Sequence, residues 1–283
     1  MLKALLIMLV AMSCIPIGDS ASKILTSQLD VAPIFVVWTR FLIGGLILLP
    51  FTWRAGLAVW RDWQVWFRAL LIAVGISCIT RALQLAPLAD VFGAFFIGPI
   101  VSFVLSVWVL KERVGAIHAV LVVLGFVGVL LIVRPGFEAS VGLGWAVLAG
   151  CIYGSFLTVS RWLAGKIALG GLMFTQMFGP VLMATPFVIG QIPEMTPQIW
   201  KLTLISAVGS MVGNCLMLLA YKMHEASKLA PFVYFQLISA VVLGWFIFGE
   251  LPGIFAITGM ALIIVAGCTS AMLQSRWPVA ARA

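Results

Sequence analysis

The sequence predicts an all-α integral membrane protein of ten transmembrane helices, arranged as two inverted five-helix repeats. Composition is the first observation behind this: 63% of residues are hydrophobic, 9% are charged, and mean hydropathy is +1.19. The second is length. A helix needs roughly 20 apolar residues to cross the hydrocarbon core, so 283 residues with short loops hold ten spans and leave no room for an extramembrane domain. The third is internal echo, since the last five apolar stretches follow the order of the first five. An odd number of crossings per copy turns the second copy over in the bilayer, the architecture of many secondary carriers. The chain is therefore expected to form a single membrane domain, 1–283, with one repeat over 1–135 and the other over 142–275.

The first span, 4–24, follows Lys3 and carries Asp19 and Lys23 one turn apart on a shared face, with Met12 and Pro16 continuing that face. Its lone basic residue, apolar run and small-residue stretch Asp19-Ser20-Ala21 also fit a cleaved signal peptide. Cleavage would leave nine spans and spoil the match between halves. The second span, 31–53, holds Arg40, and the third, 66–86, holds Arg81 and Gln84. The fourth, 89–110, carries Phe95, Pro99 and Ser102 and ends at Lys111-Glu112-Arg113; the fifth, 115–133, ends at Arg134. The sixth, 142–160, contains Tyr153, the seventh, 169–190, contains Pro180, and the eighth, 201–220, contains Asn214. The ninth, 229–248, places Phe232, Gln236 and Ser239 on one stripe and ends at Glu250; the tenth runs over 253–274.

Loop charge orients these spans. With the N-terminus inside, the cytoplasmic segments carry Lys3, Arg54, Arg61, Arg68, Lys111, Arg113, Arg161, Lys166, Lys222, Lys228, Arg276 and Arg282. The opposite side carries only Lys23, Arg134 and Lys201, so both termini are expected in the cytoplasm. The net charge of +8 is thus a topology signal beside hydrophobic spans, and no nucleic-acid partner is expected. The five cysteines lie within spans without metal-ligand spacing, which suits small apolar packing residues.

The repeat is legible residue by residue. Ala82 to Gly115 lays over Ala220 to Gly253 without a gap, bringing Glu112 onto Glu250 and Gly115 onto Gly253. Upstream, Pro50-Phe51 matches Pro186-Phe187, and Ala73-Val74-Gly75 matches Ala207-Val208-Gly209, with small changes of offset.

Three patterns give the chain a family resemblance: Thr39-Arg40-Phe41 opening an apolar run; Ala82 to Asp90 leading to Pro99 and Lys111-Glu112-Arg113; and Leu229-Ala230-Pro231 leading to Gly249-Glu250. Across essentially the whole chain it resembles the EamA family of the drug/metabolite transporter superfamily. The resemblance implies a ten-helix carrier of the bacterial inner membrane. It also implies a central cavity formed by spans 1–4 and 6–9, with spans 5 and 10 packed outside.

Charges within spans are the first candidates for function, because an ionised group in hydrocarbon needs a partner or water. Asp19, Lys23, Arg40 and Arg81 all fall in the outer half. Either Asp19 pairs with Arg40 or Lys23 as a structural unit and Arg81 snorkels outward, or the excess positive charge receives a carboxylate or phosphate. Phe95, Tyr153, Phe232, Gln84, Asn214, Gln236 and Ser239 supply rings and polar groups for a pocket, although such side chains also hydrogen-bond neighbouring helices. The expected substrate-binding set is thus Asp19, Arg40, Gln84, Phe95, Tyr153, Asn214, Phe232, Gln236 and Ser239. Lys23, Arg81, Glu112 and Glu250 are the coupling or gating candidates. Pro16, Pro99, Pro180 and Pro231 supply bends suited to alternating access.

Enzymatic signatures are missing. His224-Glu225 lacks the second His of HExxH, no GxSxG nucleophile element occurs, and no GxxxxGK[ST] phosphate loop exists. No catalytic residue, metal or cofactor is expected, and the energy for transport must come from a gradient or from exchange. The expected function is secondary transport of a small organic metabolite by alternating access. The many rings and few ionisable groups favour a flat aromatic vitamin, and riboflavin carriers of the resembled superfamily suit that description. Amino-acid or drug/metabolite export is the rival within the superfamily, and an intramembrane enzyme is the rival of another class. Expected partners are the substrate and the lipid bilayer, with a homodimer left open.

Overall fold

The computed structural model describes residues 2–52, 57–109, 116–134, 140–164, 166–223, 229 and 232–276. Arg54, Lys111, Glu112, Arg113, Glu138, His224, Lys228, Pro231 and Arg282 lie outside these. The elements are α1 (Leu2–Ser27), α2 (Pro33–Thr52), a 3-10 turn (Leu57–Arg61), α3 (Trp63–Leu85), α4 (Leu88–Phe95) and α5 (Ile97–Val109), followed by α6 (Ala116–Val133) and α7 (Val141–Ala164). They continue with α8 (Leu169–Val188), α9 (Pro197–Met223), α10 (Phe235–Phe248) and α11 (Ile254–Arg276). Among the described residues, seven helical stretches are long and apolar enough to cross a membrane, and Leu88–Val109 is one of them. Three shorter apolar stretches, Ala119–Val133, Phe235–Phe248 and Ile254–Ser270, accompany them.

Helix ends follow local chemistry. Pro33 and Pro197 open α2 and α9, where a missing N–H costs nothing. Thr196 caps α9 by accepting the Ile199 N–H through Oγ1 at 3.3 Å. The fourth apolar stretch breaks at Phe96, three residues before Pro99, which cannot donate to the Phe95 carbonyl. Phe96 instead donates to Phe92 and Gly93. The sequence offset that matches the repeats maps Phe96 onto Tyr234, which precedes α10, and the two rings pack 5.2 Å apart.

Packing relies on close backbone approach, as expected where lipid removes the hydrophobic drive between helices. α1 lies along α9: a Cβ on Gly18 would stand 2.8 Å from Ser210 Oγ and 2.9 Å from the Ser206 carbonyl oxygen. The buried Ser22 and Ser206 hydroxyls meet at 2.7 Å across the same seam. α3 packs on α7, α2 on α8, and α6 on α11. Large apolar side chains cover the outside, with Phe51, Trp108 and Phe246 each more than 80% exposed. In water such a surface would aggregate; against lipid it is the solvent-facing layer.

Candidate functional site

A cavity of about 370 Å³ lies among the helices, lined from α1–α5 and α7–α10. α6 and α11 contribute no lining residue among those described. Its wall is mostly apolar. Phe41, Phe92, Phe95, Phe96 and Tyr153 supply rings, and Met12, Met177, Met211 and Met217 supply flexible thioethers that adapt to varied shapes. Phe95 and Tyr153 pack with centroids 5.1 Å apart, and Tyr153 stacks on Phe156 at 5.7 Å.

Polar groups enter this wall at few points. Asp19 and Arg40 both line the cavity and form an ion pair, their side chains 5% and 9% exposed. Both polypeptide segments are helical there, so the pair joins α1 to α2 at similar depth. Gln176, Ser210, Asn214 and Gln236 complete the polar lining. Asn214 donates through Nδ2 to the Ser210 carbonyl at 2.8 Å, which leaves its Oδ1 for another donor.

One turn beyond Asp19, the Lys23 ammonium is 2.6 Å and 2.8 Å from the two carboxylate oxygens of Glu250. It also donates to the Ala86 carbonyl at 2.9 Å and sits 4.8 Å from the Phe248 ring centroid. Glu250 Oε2 accepts the Leu88 N–H, at the start of α4, at 3.0 Å. Gly249 makes this reach feasible. Its left-handed φ of 67° ends α10 and turns the chain so that Glu250 folds back toward α1. Two connections, the one after α10 and the one between α3 and α4, therefore converge on the Lys23–Glu250 pair. Nearby, Asp90 Oδ1 is buried without a hydrogen-bond partner among the described residues.

The expected residues divide accordingly. Asp19, Arg40, Phe95, Tyr153, Asn214 and Gln236 line the cavity. Gln84, Phe232 and Ser239 do not: Gln84 bridges Arg81 and the Thr26 carbonyl, Ser239 meets Ser13 at 3.2 Å, and Phe232 packs with Met8 and Leu229. Arg81 is exposed and Glu112 is outside the described residues. Lys23 pairs with Glu250 and Arg40 takes Asp19, which resolves the two pairings the sequence allowed.

Two readings from loop charge need correction. Arg68 is not a cytoplasmic loop residue: α3 already begins at Trp63, and Arg68 is 4% exposed. Lys23, counted with the charges of the opposite side, is 5% exposed inside α1, held by Glu250 and the Ala86 carbonyl. Arg68 Nε donates to Ser160 at 2.7 Å, Nη1 to the Leu172 carbonyl at 3.0 Å and Nη2 to Gln176 Oε1 at 2.7 Å. Its guanidinium lies 4.7 Å from the Phe156 centroid. Gln176 was missed for a simple reason: one amide in the run Thr175-Gln176-Met177 has no polar neighbour on its stripe to draw notice. The signal available was the same as for Gln84 and Gln236, an amide inside an apolar span.

Comparison with known proteins places the whole chain. The sequence pattern described as "EamA-like transporter family" matches residues 2–134 and again 140–271. The S-adenosylmethionine uptake transporter of Rickettsia bellii is 27% identical over 88% of this chain and 86% of its own length. The riboflavin transporter of Rhizobium johnstonii is 26% identical over 86% and 82%, and the pseudopaline exporter CntI of Pseudomonas aeruginosa is 26% identical over 82% and 83%. A solved crystal structure, 20% identical, covers 98% of this chain and 99% of its own, with a TM-score of 0.66. It shares the fold.

Proposed function

This chain belongs to the EamA-like transporter family, and from that premise we propose that it carries a small, ring-containing organic metabolite across the bacterial inner membrane by alternating access. The observation that carries this reading is the cavity among α1–α5 and α7–α10, with its rings and thioethers around a buried Asp19–Arg40 pair. A membrane cavity of that make-up suits a flat ligand stacked on Phe95 and Tyr153. Riboflavin is the first candidate, since the paired charges leave the wall neutral on balance. A second reading, S-adenosylmethionine, is favoured by the same pair viewed differently: an adjacent carboxylate and guanidinium suit a ligand bearing both charges.

The ten-span, inverted-repeat topology with both termini cytoplasmic is part of this proposal. It is supported by loop charge and by a further echo: the offset that lays Glu112 on Glu250 also lays Ser22-Lys23 on Ser160-Arg161. Under that topology Lys23 and Glu250 stand at the outer end of the cavity, and their bond is the latch that holds that end closed. Binding energy that favours the open arrangement would release it, as any ligand-driven switch requires. The test is uptake of labelled riboflavin and S-adenosylmethionine by proteoliposomes of the purified chain. Saturable, protein-dependent accumulation of one of them is expected. Carriage of neither would remove both substrate candidates.

A further inference from the structure

The cation that matters most for ligand choice is one that no carboxylate neutralises. Among the described residues the ion pairs are Lys23–Glu250 and Arg40–Asp19, and Arg68, although only 4% exposed, has no carboxylate within pairing distance. Its three hydrogen-bond partners are neutral. A guanidinium cannot accept a hydrogen bond or lose its proton, so the Gln176 atom facing it must be the carbonyl oxygen, which fixes the flip of the amide. The Gln176 NH2 then points to the other side of the same planar group. Gln176 lines the cavity, and its Nε2 has no acceptor within hydrogen-bond distance among the described residues. Ordinarily either end of such an amide is open to a ligand; here Arg68 occupies a lone pair of the oxygen and fixes its direction, while both N–H donors stay uncommitted.

We propose that Gln176, locked by Arg68, is the acceptor-reading residue of the cavity, and that the transported ligand presents to it a carboxylate or a ring carbonyl. Polarisation of the amide by the unneutralised guanidinium strengthens the donor, as in any charge-assisted chain. Arg68 is the positioning residue, acting through Gln176 without touching the ligand. Phe156 over the guanidinium, and Ser160 and Leu172 at its edges, leave it no room to swing toward the cavity. The subsite rests on the cavity being the binding chamber. It excludes ligands whose buried end is purely cationic.

The test uses cavity charge preference, so it does not require the substrate to be known. In a chain whose five cysteines are replaced by alanine, Met177→Cys puts one thiol beside Gln176. Its rates with 2-sulfonatoethyl and 2-trimethylammonioethyl methanethiosulfonate are measured, each divided by the rate with a free thiol. The sulfonate reagent is expected to react about tenfold faster than the ammonium one, the size of one charge-assisted hydrogen bond. Gln176→Glu keeps an acceptor for Arg68 and removes the donor, and it should erase that preference. Gln176→Leu should do the same, so either protein decides if the other misfolds. Arg68→Lys, unable to hold Ser160, Leu172 and Gln176 together, should lower the preference partway, an effect that altered packing alone would not direct toward one charge. A ratio near one in the parent, or one unmoved by Gln176→Glu, overturns the proposal. Riboflavin and S-adenosylmethionine uptake measured in parallel separates the two ideas. A charge preference with neither solute carried sinks those substrates and supports the subsite, whereas carriage of either with no preference sinks the subsite alone.

Discussion

Two regions beside the cavity hold buried cations, and they hold them in opposite ways. Around α1 each cation has a carboxylate: Arg40 has Asp19, and Lys23 has Glu250 with a backbone carbonyl added. Around the start of α3, Arg68 has a hydroxyl, a carbonyl, an amide and a ring. The difference teaches where each region spends its electrostatics. A closed ion pair is strong only while both members stay, because removing one leaves an uncompensated charge in a low dielectric. A cation solvated by neutral dipoles leaves no orphan charge when it is removed, but its field reaches whatever lies beyond those dipoles. On the proposed function, the first region locks and unlocks and the second biases what enters.

The largest expected effect comes from breaking the α1 pair one side at a time. Asp19→Asn and Arg40→Gln should each cost about 3–5 kcal/mol of stability, read as a fall in melting temperature or folded yield. The double variant should be less damaged than the sum of the two. Additive losses would mean that the two side chains do not depend on each other, and the contrast with Arg68 would collapse.

Arg68→Met sharpens the same contrast. It leaves Ser160 and Gln176 short of a partner but no charge unpaired, so the loss should be about 1–3 kcal/mol, smaller than for Asp19→Asn in the same melting assay. An equal or larger loss would show that the neutral shell is as obligatory as a salt bridge.

How much of this was legible beforehand depends on the kind of signal. Span positions follow from long apolar runs, which is why α1, α2, α3 and α7 fall where hydropathy puts them. The Asp19–Arg40 pair was readable because both are charges in hydrocarbon at matched depth. Lys23 with Glu250 was not, since the sequence offers no hint that Gly249 turns the end of α10 back toward α1. Arg68 was misread for another reason: just inside the expected start of its span at 66, it counts as a boundary charge, and hydropathy does not show that Ser160, Leu172 and Gln176 bury it. Ser239 and Phe232 share the stripe of Gln236, yet helix packing takes the first to Ser13 and the second to Met8 and Leu229, because periodicity fixes a face and not its neighbour.

A smaller effect tests the cavity wall between the two regions. Gln236→Leu should weaken ligand binding about tenfold or more with a melting temperature near that of the parent, while Val241→Leu on the same helix should change neither. Unfolding of Gln236→Leu would assign that amide to packing. The smallest effect belongs to the turn beneath the latch: Gly249→Ala should cost about 1 kcal/mol, because φ is 67° there. The same change should also loosen the Lys23–Glu250 bond.

The most direct measurement places a single cysteine at Gln236 in the cysteine-free chain and adds a membrane-impermeant maleimide to either side of oriented vesicles. Alternating access through the cavity predicts labelling from both sides. It also predicts that Glu250→Gln speeds reaction from the side that exposes Glu194 and slows it from the side that exposes Arg61. Labelling from neither side, or rates that Glu250→Gln leaves unchanged on both, would contradict a carrier whose cavity is latched by Lys23 and Glu250.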